Sequence, residues 1–316
     1  MTSSRPERRP DFFIVGAPKS GTTAMYAYLR THPQLYLPER KELRYFGRDL
    51  DVRDRRPLSE AEYLASFAQA GPDQLIGTAY VWYLYSTSAA TEIRAFAPEA
   101  RVIAMLRNPV DMMHALHGEN LSNGNEEIGD FAAALAAEGE RRAGRRIPAH
   151  AHLVQALWYS TVPRYTEQLE RYERAFGRDR MHVIVFDDFS ADPAAAYASV
   201  LRFLGVRADH RPAAFDVINR SKRTRSERLR HFLARPPALP RRVIRGLVPA
   251  PARRALYERA KRLNVTERQR PPMDADLRDR LRSQYVDEVE RLSEYLGRDL
   301  RHWVAPPGGV RTADAV

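Results

Sequence analysis

The sequence predicts a single α/β domain in which a central parallel sheet is flanked by helices. Short apolar runs at 11–16, 101–106 and 181–186 have the length and composition of buried strands. Longer stretches between and after them, most clearly 22–31 and 274–296, carry apolar residues at helical spacing. Strands that alternate with helices favour a parallel sheet with helices on both of its faces.

The elements can be assigned in order along the chain. The first strand ends in Gly and Pro, and the strand at 101–106 stops at Asn108-Pro109, because the residue before a proline avoids the helical region. The remaining predicted elements are a strand region at 75–84, helices at 88–96, 131–142 and 151–176, a strand at 181–186, and helices at 193–204 and 274–296. The helix at 151–176 is expected to be broken or restarted near Pro163.

One domain accounts for most of the chain. We expect it to span residues 11–303, with disordered ends at 1–10 and 304–316, because the first end is polar and basic and the second is rich in Pro and Gly. The segment 220–270 is dense in Arg and interrupted by prolines. Two interpretations stay open for this segment: a solvated lid over a functional site, or a basic surface that touches an anionic membrane or an acidic or lipid-linked acceptor molecule.

Composition limits the classes of site and partner. The chain has 316 residues and no cysteine, which excludes a disulfide framework and a thiolate metal site, and no metal-ligand cluster is evident. A net charge of +11 fits a phosphate-rich ligand, an anionic membrane or nucleic acid. Aromatic residues do not interleave with the basic runs, so we expect no nucleic-acid partner. The apolar run at 12–17 is too short for a signal peptide or a membrane span, and we expect a bacterial, cytoplasmic protein.

A glycine-containing motif, GAPKSGTT, occupies residues 16–23 between the first strand and the first helix. Backbone N–H groups and the helix dipole favour a phosphate there, and Ser20, Thr22 and Thr23 add hydroxyl donors. The motif nearly matches the nucleoside triphosphate loop G-x-x-x-x-G-K-[ST], which makes the predicted sheet P-loop-like. It differs in one place, because Thr22 stands where that loop has its lysine and Lys19 comes before the second glycine.

The motif and the residues after it resemble the family of sulfotransferases that depend on 3′-phosphoadenosine 5′-phosphosulfate (PAPS). That family has P-K-[ST]-G-[TS]-[TS] after its first strand, and its heparan sulfate branch continues with L-x-x-H-P and K-E-x-x-[FY]-F. Residues 18–23, 29–33 and 41–46 match these patterns in the same order. The resemblance implies transfer of a sulfuryl group from PAPS to a hydroxyl or amine of a small-molecule, glycan or glycolipid acceptor, with PAP as product and no metal.

The resemblance also implies roles for single residues. Lys19 matches the lysine that holds the bridging oxygen, where charge builds as PAP leaves, and Glu42 matches the carboxylate that takes the acceptor's proton. Lys41 is expected to add a second cation, and a loop salt bridge of Glu42 with Lys41 or Arg44 is the alternative. The predicted PAPS contacts are Pro18, Lys19, Ser20, Gly21, Thr22, Thr23, Arg107 and Lys222.

A second family motif, R-[ND]-P-x-x-R-x-x-S after a strand, binds the 3′-phosphate. Arg107 begins a similar segment, and its guanidinium suits phosphate oxygens. The segment departs from the motif where Met112 replaces the second Arg and Ala115 replaces the Ser. Weaker PAPS binding, a divergent and weakly active protein, and replacement by another donor stay open as explanations, and we favour replacement. The candidate donors are His114, His117 and Asn120.

Side chains that could contact the acceptor are aromatic or imidazole groups, and core packing is the alternative for each of them. The candidates are Trp82, Tyr83, His114, His117 and Trp158.

Two other functions compete with sulfuryl transfer. A P-loop kinase or NTPase requires a lysine where Thr22 stands and an acidic residue that holds Mg²⁺, a role open to Asp187. A degenerate, non-enzymatic nucleotide-binding relative is supported by Ala115 but opposed by the retained Lys19 and Glu42.

Overall fold

A five-stranded parallel sheet lies at the centre of the fold, in the strand order β2, β3, β1, β4, β5. The computed structural model describes residues 8–53, 56–215 and 272–306, with the backbone of two short strands at 222–224 and 265–267. The predicted α/β fold with a central parallel sheet is confirmed. The strands of this sheet are β1 (Phe12–Gly16), β2 (Leu35–Tyr36), β3 (Leu75–Ala79), β4 (Arg101–Leu106) and β5 (Met181–Val185).

Helices connect these strands. The described helices are α1 (Thr22–Leu29), α2 (Glu60–Ala65), α3 (Ala89–Phe96), α4 (Pro109–Asn123), α5 (Phe131–Ala136), α6 (Glu138–Arg142), α7 (Tyr165–Phe176), α8 (Phe186–Ala191), α9 (Pro193–Leu204), α10 (Ala275–Gln284) and α11 (Val286–Leu296). Short 3₁₀ turns lie at Val154–Leu157, Arg178–Arg180 and Arg301–Trp303.

Several helix predictions need correction. The helix predicted at 151–176 is a 3₁₀ turn followed by loop until α7 begins at Tyr165, beyond Pro163. The predicted terminal helix is divided at Tyr285, which leaves the helical region at φ −107° while its buried hydroxyl donates to the Ser160 carbonyl at 2.7 Å. Helix α4 was not predicted; Asn108 caps it by accepting from the N–H of Val110 at 3.0 Å.

The apolar side chains of strand β1 require that both faces of the sheet be covered. Its side chains are all buried and alternate between two apolar clusters, with Phe13 and Val15 in one and Phe12 and Ile14 in the other. Successive strand residues point to opposite faces, so a fully apolar strand requires packing on both sides. At the β3 neighbour, a Cβ on Gly77 would lie 2.1 Å from the Phe12 ring, so glycine is required there.

The end of the described chain ties together the ends of two strands. The Asn108 amide, just after β4, donates to the Trp303 carbonyl at 3.0 Å. The Trp303 indole N–H donates at 2.7 Å to Asp187, just after β5. Trp303 is 2% exposed, and both of these bonds are partly buried. Residues more than 100 positions away in the sequence therefore hold the loops that follow β4 and β5.

The chain divides into two compact units, residues 1–218 with 273–316 and residues 219–272. In the smaller unit, strand β6 (Lys222–Thr224) pairs antiparallel with β7 (Val265–Glu267). The remainder of the Arg-rich segment 220–270, including the Lys222 side chain, lies outside the described residues. Arg8 donates to the carbonyls of Gly71 and Gln74 at 2.6 Å, so the ordered region includes residues that we expected to be disordered.

A buried ion pair near α6 generates a stability prediction. The side chains of Arg141 and Glu126 are 0% exposed, with Nη2 donating to Oε1 at 2.8 Å and Nη1 lying 2.8 Å from Oε2. We expect Arg141→Met to lower the free energy of unfolding by about 3–5 kcal/mol, because it leaves a buried carboxylate without its counter-charge. Arg146→Met, which breaks an exposed pair with Glu140, should cost less than about 1 kcal/mol. Urea unfolding of both variants measures the difference.

The same pair predicts a pH dependence. Burial by itself raises the pKa of Glu126, but hydrogen bonds from Arg141, a backbone N–H and Tyr159 outweigh it and leave the pKa lowered. A lowered folded-state pKa stabilises the fold above the unfolded pKa, and this stabilisation is lost as the pH falls through the folded value. The cost of Arg141→Met should shrink at acidic pH, where Glu126 takes up a proton. A cost that grows on acidification would contradict this account.

Candidate active site

The loop 16–23 lies at the carboxyl end of β1, where the loops after neighbouring parallel strands also meet. Ala17 donates its N–H to the carbonyl of Met105 in β4 at 2.7 Å, and Leu84 donates to Val15 at 2.8 Å from the turn that follows β3. Ligands of open α/β sheets bind at this edge of the sheet. The loop is therefore fixed from both sides by residues of adjacent strands.

The conformation of the loop depends on two left-handed residues. Lys19 has φ 60° and Gly21 has φ 87°, and Gly21 directly precedes α1. A Cβ on Gly21 would also lie 2.8 Å from the Phe189 ring. The first N–H groups of a helix lack partners within it, so those at the start of α1 are available to an anion.

Two polar contacts connect Lys19 to the elements around it. Its ammonium lies 3.3 Å from Oε1 of Glu119 on α4. Its carbonyl accepts from Nη1 of Arg107, the first residue after β4, at 3.1 Å. These contacts bring the cations of two separate sequence motifs, Lys19 and Arg107, to one place.

Lys41 and Glu42 reach the same loop from the segment before β3. The Lys41 ammonium lies 2.6 Å from Oε1 of Glu42 and 3.4 and 3.3 Å from the hydroxyls of Thr22 and Thr23. Oε2 of Glu42 accepts from the N–H of Val81 at 3.1 Å. Glu42 has φ 65°, and its own N–H donates to the Ala79 carbonyl at 3.1 Å. The Glu42 side chain remains 37% exposed, so a ligand can reach its carboxylate.

The predicted loop salt bridge of Glu42 with Lys41 is present. The same ammonium also contacts the hydroxyls of Thr22 and Thr23, so the ion pair lies against the loop 16–23. The Lys41 ammonium, the Glu42 carboxylate and the start of α1 are therefore close together, and Lys19 belongs to the same loop. Such a set can bind a phosphorylated ligand and accept a proton from a second molecule.

Arg107 lines a pocket of about 370 Å³ beside the loop. Its guanidinium lies over the Phe186 ring, 4.7 Å from the centroid. Burial raises the pKa of Tyr165, a fully buried side chain, so this phenol stays neutral. The pocket is lined by Arg107, Asn108, Asp111, Phe186, Asp187, Ser190 and Ala191.

The two departures from the 3′-phosphate motif lie on the buried side of α4. Met112 is 0% and Ala115 is 2% exposed. The candidate replacements are also engaged inside the fold. His117 shares a ring-nitrogen hydrogen bond of 2.9 Å with the Ile128 carbonyl, and the Asn120 amide donates to the Ala156 carbonyl at 2.9 Å. The His114 ring lies 5.4 Å from that of Phe131.

Of the aromatic acceptor candidates, Tyr83 is contradicted by the structure. Its side chain is fully buried, and its hydroxyl donates to the Leu43 carbonyl at 2.9 Å. Tyr83 therefore supports the loop that carries Glu42 from within the core. Trp82 is 9% exposed and also packs in the core cluster. Both residues follow the core-packing alternative.

Trp158 lines a second, larger pocket of about 630 Å³. Tyr85 also lines this pocket, and its hydroxyl shares a hydrogen bond of 3.2 Å with the hydroxyl of Thr161. Three arginines and three acidic residues also border it, so the wall is polar and charged around the two rings. These charged residues are Arg164, Arg171, Arg291, Asp49, Glu167 and Glu288.

Sequence reasoning missed Glu119 as a partner of Lys19 and missed Ser190 as a pocket residue. A helical assignment for α4 would have revealed Glu119 as a residue three turns from its start, but nothing local pairs it with Lys19. Across 8–53, 56–215 and 272–306, no group of three or more His, Asp or Glu side chains could hold a metal ion. None of the helices in these ranges is long and apolar enough to cross a membrane.

Comparison with known proteins decides the family. Residues 10–210, more than half of the chain, match the model described as the sulfotransferase family. The chain belongs to this family. Its fold is similar to the crystal structure of a sulfotransferase from Alicyclobacillus acidocaldarius, with a TM-score of 0.69 and 26% identity over 94% of this chain and 100% of that one.

Curated relatives support the same family. The chain is 24% identical to human bifunctional heparan sulfate N-deacetylase/N-sulfotransferase 3 over 94% of its own length and 31% of that protein. It is 25% identical to human heparan sulfate glucosamine 3-O-sulfotransferase 6 over 65% of its own length and 55% of that protein. The chain spans between 21% and 55% of the length of the curated relatives that it matches.

The loop geometry predicts the effect of a substitution at Gly21. Gly21→Ala should destabilise the protein by at least about 1 kcal/mol for the left-handed backbone, and further because the new methyl meets the Phe189 ring. Gly144→Ala is the matched control, because Gly144 has φ +77° with nothing within 4 Å of a new Cβ. Thermal unfolding should show a larger loss for Gly21→Ala. Equal losses of thermal stability would mean that the Phe189 ring moves away from the new methyl group at no cost in free energy.

Proposed function

We propose that this protein is an enzyme that transfers a sulfuryl group from PAPS to a hydroxyl or amine of an acceptor. The observation that carries the proposal is the position of Lys41, whose ammonium contacts both the Glu42 carboxylate and the hydroxyls of Thr22 and Thr23. This contact supports a role for Glu42 as the base beside a loop suited to a 5′-phosphosulfate. Membership of the sulfotransferase family supports the same reaction.

The residues around the loop suit the anionic groups of PAPS. The loop and the start of α1 provide backbone N–H groups for the 5′-phosphosulfate. Arg107 has no carboxylate partner among the residues that the structure describes, and it faces the adjoining pocket. An unpaired guanidinium in a pocket suits a phosphate, so we assign the 3′-phosphate to Arg107.

In the proposed reaction, the acceptor oxygen or nitrogen forms a bond to sulfur while the bond from sulfur to the bridging oxygen breaks. The acceptor's proton passes to the Glu42 carboxylate, and PAP leaves with the electron pair. Lys19 offsets the charge that builds on the bridging oxygen. Since the Lys19 ammonium now lies 3.3 Å from Glu119, it exchanges this carboxylate for the bridging oxygen during the reaction.

The acceptor side of the proposal rests on the relatives and on the second pocket. The names of several relatives refer to heparan sulfate or to carbohydrates. We therefore propose a glycan, glycolipid or small-molecule acceptor for this protein. The rings of Trp158 and Tyr85 and the surrounding arginines suit a polar, ring-containing molecule. We also propose that the protein is cytoplasmic and that it contacts anionic lipid.

The kinase alternative is not favoured. Thr22 stands where a triphosphate loop has its lysine, and Asp187, the candidate Mg²⁺ holder, already accepts from the Trp303 indole at 2.7 Å and bonds to His302 at 2.8 Å. Calorimetric titration with PAP, and with ATP plus Mg²⁺, tests the choice. We expect micromolar binding of PAP without metal. A preference for ATP–Mg²⁺ would overturn the proposal, and failure to bind either nucleotide would favour a non-enzymatic relative.

Replacement of the proposed base, Glu42, should affect turnover but not nucleotide binding. Glu42→Gln should lower turnover by about 100-fold or more, since general bases contribute about 10²–10⁴-fold, while PAP affinity stays within about twofold. The measurements are a sulfuryl-transfer assay and PAP calorimetry. Glu39→Gln, an exposed carboxylate of the same loop, is the control and should leave both unchanged. If Glu119→Gln abolished turnover and Glu42→Gln did not, Glu119 would be the base.

Replacement of the loop lysine should affect both steps. Lys19→Ala should weaken PAP binding by about tenfold and lower turnover by about 10²–10³-fold, because it removes the cation at the leaving oxygen. The same two assays measure these effects. An unchanged affinity together with unchanged turnover would mean that the phosphosulfate binds elsewhere.

A further inference from the structure

The pocket beside the loop 16–23 is lined by two carboxylates as well as by Arg107. The carboxylates have polar partners, whereas Arg107 has no carboxylate partner among the described residues. This inference rests on the proposed function, in which the pocket receives the 3′-phosphate. Asp187 bonds to the Trp303 indole at 2.7 Å and to His302 at 2.8 Å, while Asp111 pairs with Arg278 at 2.8 Å. Both carboxylates of the pocket therefore already have polar partners within the fold.

Strand pairing places α8 next to Arg107. Leu106 of β4 pairs with Val185 of β5, so Arg107 and Phe186, the next residue of each strand, emerge side by side. The 4.7 Å approach of the Arg107 guanidinium to the Phe186 ring is the result. Ser190 follows Phe186 by four residues on α8, and residues four apart share a helix face. Ser190 thus stands one helical turn from the ring that supports Arg107.

The Ser190 hydroxyl is available to a ligand. Ser190 is exposed and lines the pocket, and within the described ranges its hydroxyl makes no hydrogen bond. The α4 position at which the family has a serine is Ala115, buried to 2% exposure, while His117 and Asn120 hydrogen-bond to main-chain carbonyls inside the fold. Ala115, His117 and Asn120 thus offer no hydroxyl at this place, whereas Ser190 on α8 presents one to the pocket.

We propose that the hydroxyl of Ser190 hydrogen-bonds to the 3′-phosphate that Arg107 binds. The hydroxyl donor then stands on α8, the helix after β5, rather than on α4, the helix after β4. The phosphate lies between these two helices. Hydroxyl bonds to a charged phosphate are stronger than neutral ones, so loss of this donor should be measurable in affinity.

Calorimetric titration with PAP and with 5′-AMP, which lacks the 3′-phosphate, tests the proposal. Ser190→Ala should weaken PAP binding about tenfold and leave 5′-AMP binding unchanged. Ser190→Thr keeps the hydroxyl and should retain most of the PAP affinity. Ser66→Ala is the control, because the Ser66 hydroxyl is exposed and bonds to the Glu62 carbonyl of its own helix. It should bind both nucleotides as the unmodified protein does.

The outcomes separate this inference from the proposed function. If the unmodified protein binds PAP no better than 5′-AMP, the 3′-phosphate site is wrong and the proposed cosubstrate fails with it. If the unmodified protein prefers PAP and Ser190→Ala keeps the full preference, Ser190 is not the donor while the proposed function stands. An equal loss for both nucleotides would also overturn the inference, because it would indicate a general change in the site.

Discussion

The parallel pairing of β1 with β4 is the constraint on which the site depends. It aligns the carboxyl ends of the two strands, so the loop after β1 and Arg107 after β4 meet, and the bond from Arg107 to the Lys19 carbonyl joins them. Pairing of β4 with β5 then adds α8 to the same edge. Each functional segment needs only to follow its strand, and the sheet brings the segments together.

A second constraint acts from the end of the described chain. Trp303 bonds to Asn108 and to Asp187, and so fixes the first residues after β4 and β5 relative to one another. Both bonds are partly buried. Asn108 and Asp187 line the pocket beside Arg107, so a residue far away in sequence fixes part of its wall. This arrangement explains how a pocket can be shaped by side chains that belong to no recognisable local motif.

The residues of the candidate site that could be predicted are those that belong to continuous sequence motifs. Lys19, Gly21 and Arg107 each follow a buried strand within a recognisable motif, and the structure joins them as neighbours. Glu119 and Ser190 could not be predicted, because their positions depend on strand order and helix register rather than on adjacent residues. For Tyr83 the sequence left both acceptor contact and core packing open, because an aromatic residue after a strand has the same sequence signature whether it faces a ligand or the core.

The placement of the tryptophans has a spectroscopic consequence. The chain has three of them, and each occupies a different environment: Trp82 lies in the core, Trp158 borders the larger pocket, and Trp303 bonds to Asp187 beside Arg107. Indole emission responds to charge and solvent near the ring. Intrinsic fluorescence therefore reports on both pockets without an added label, and replacing Trp158 or Trp303 by Phe separates their two contributions.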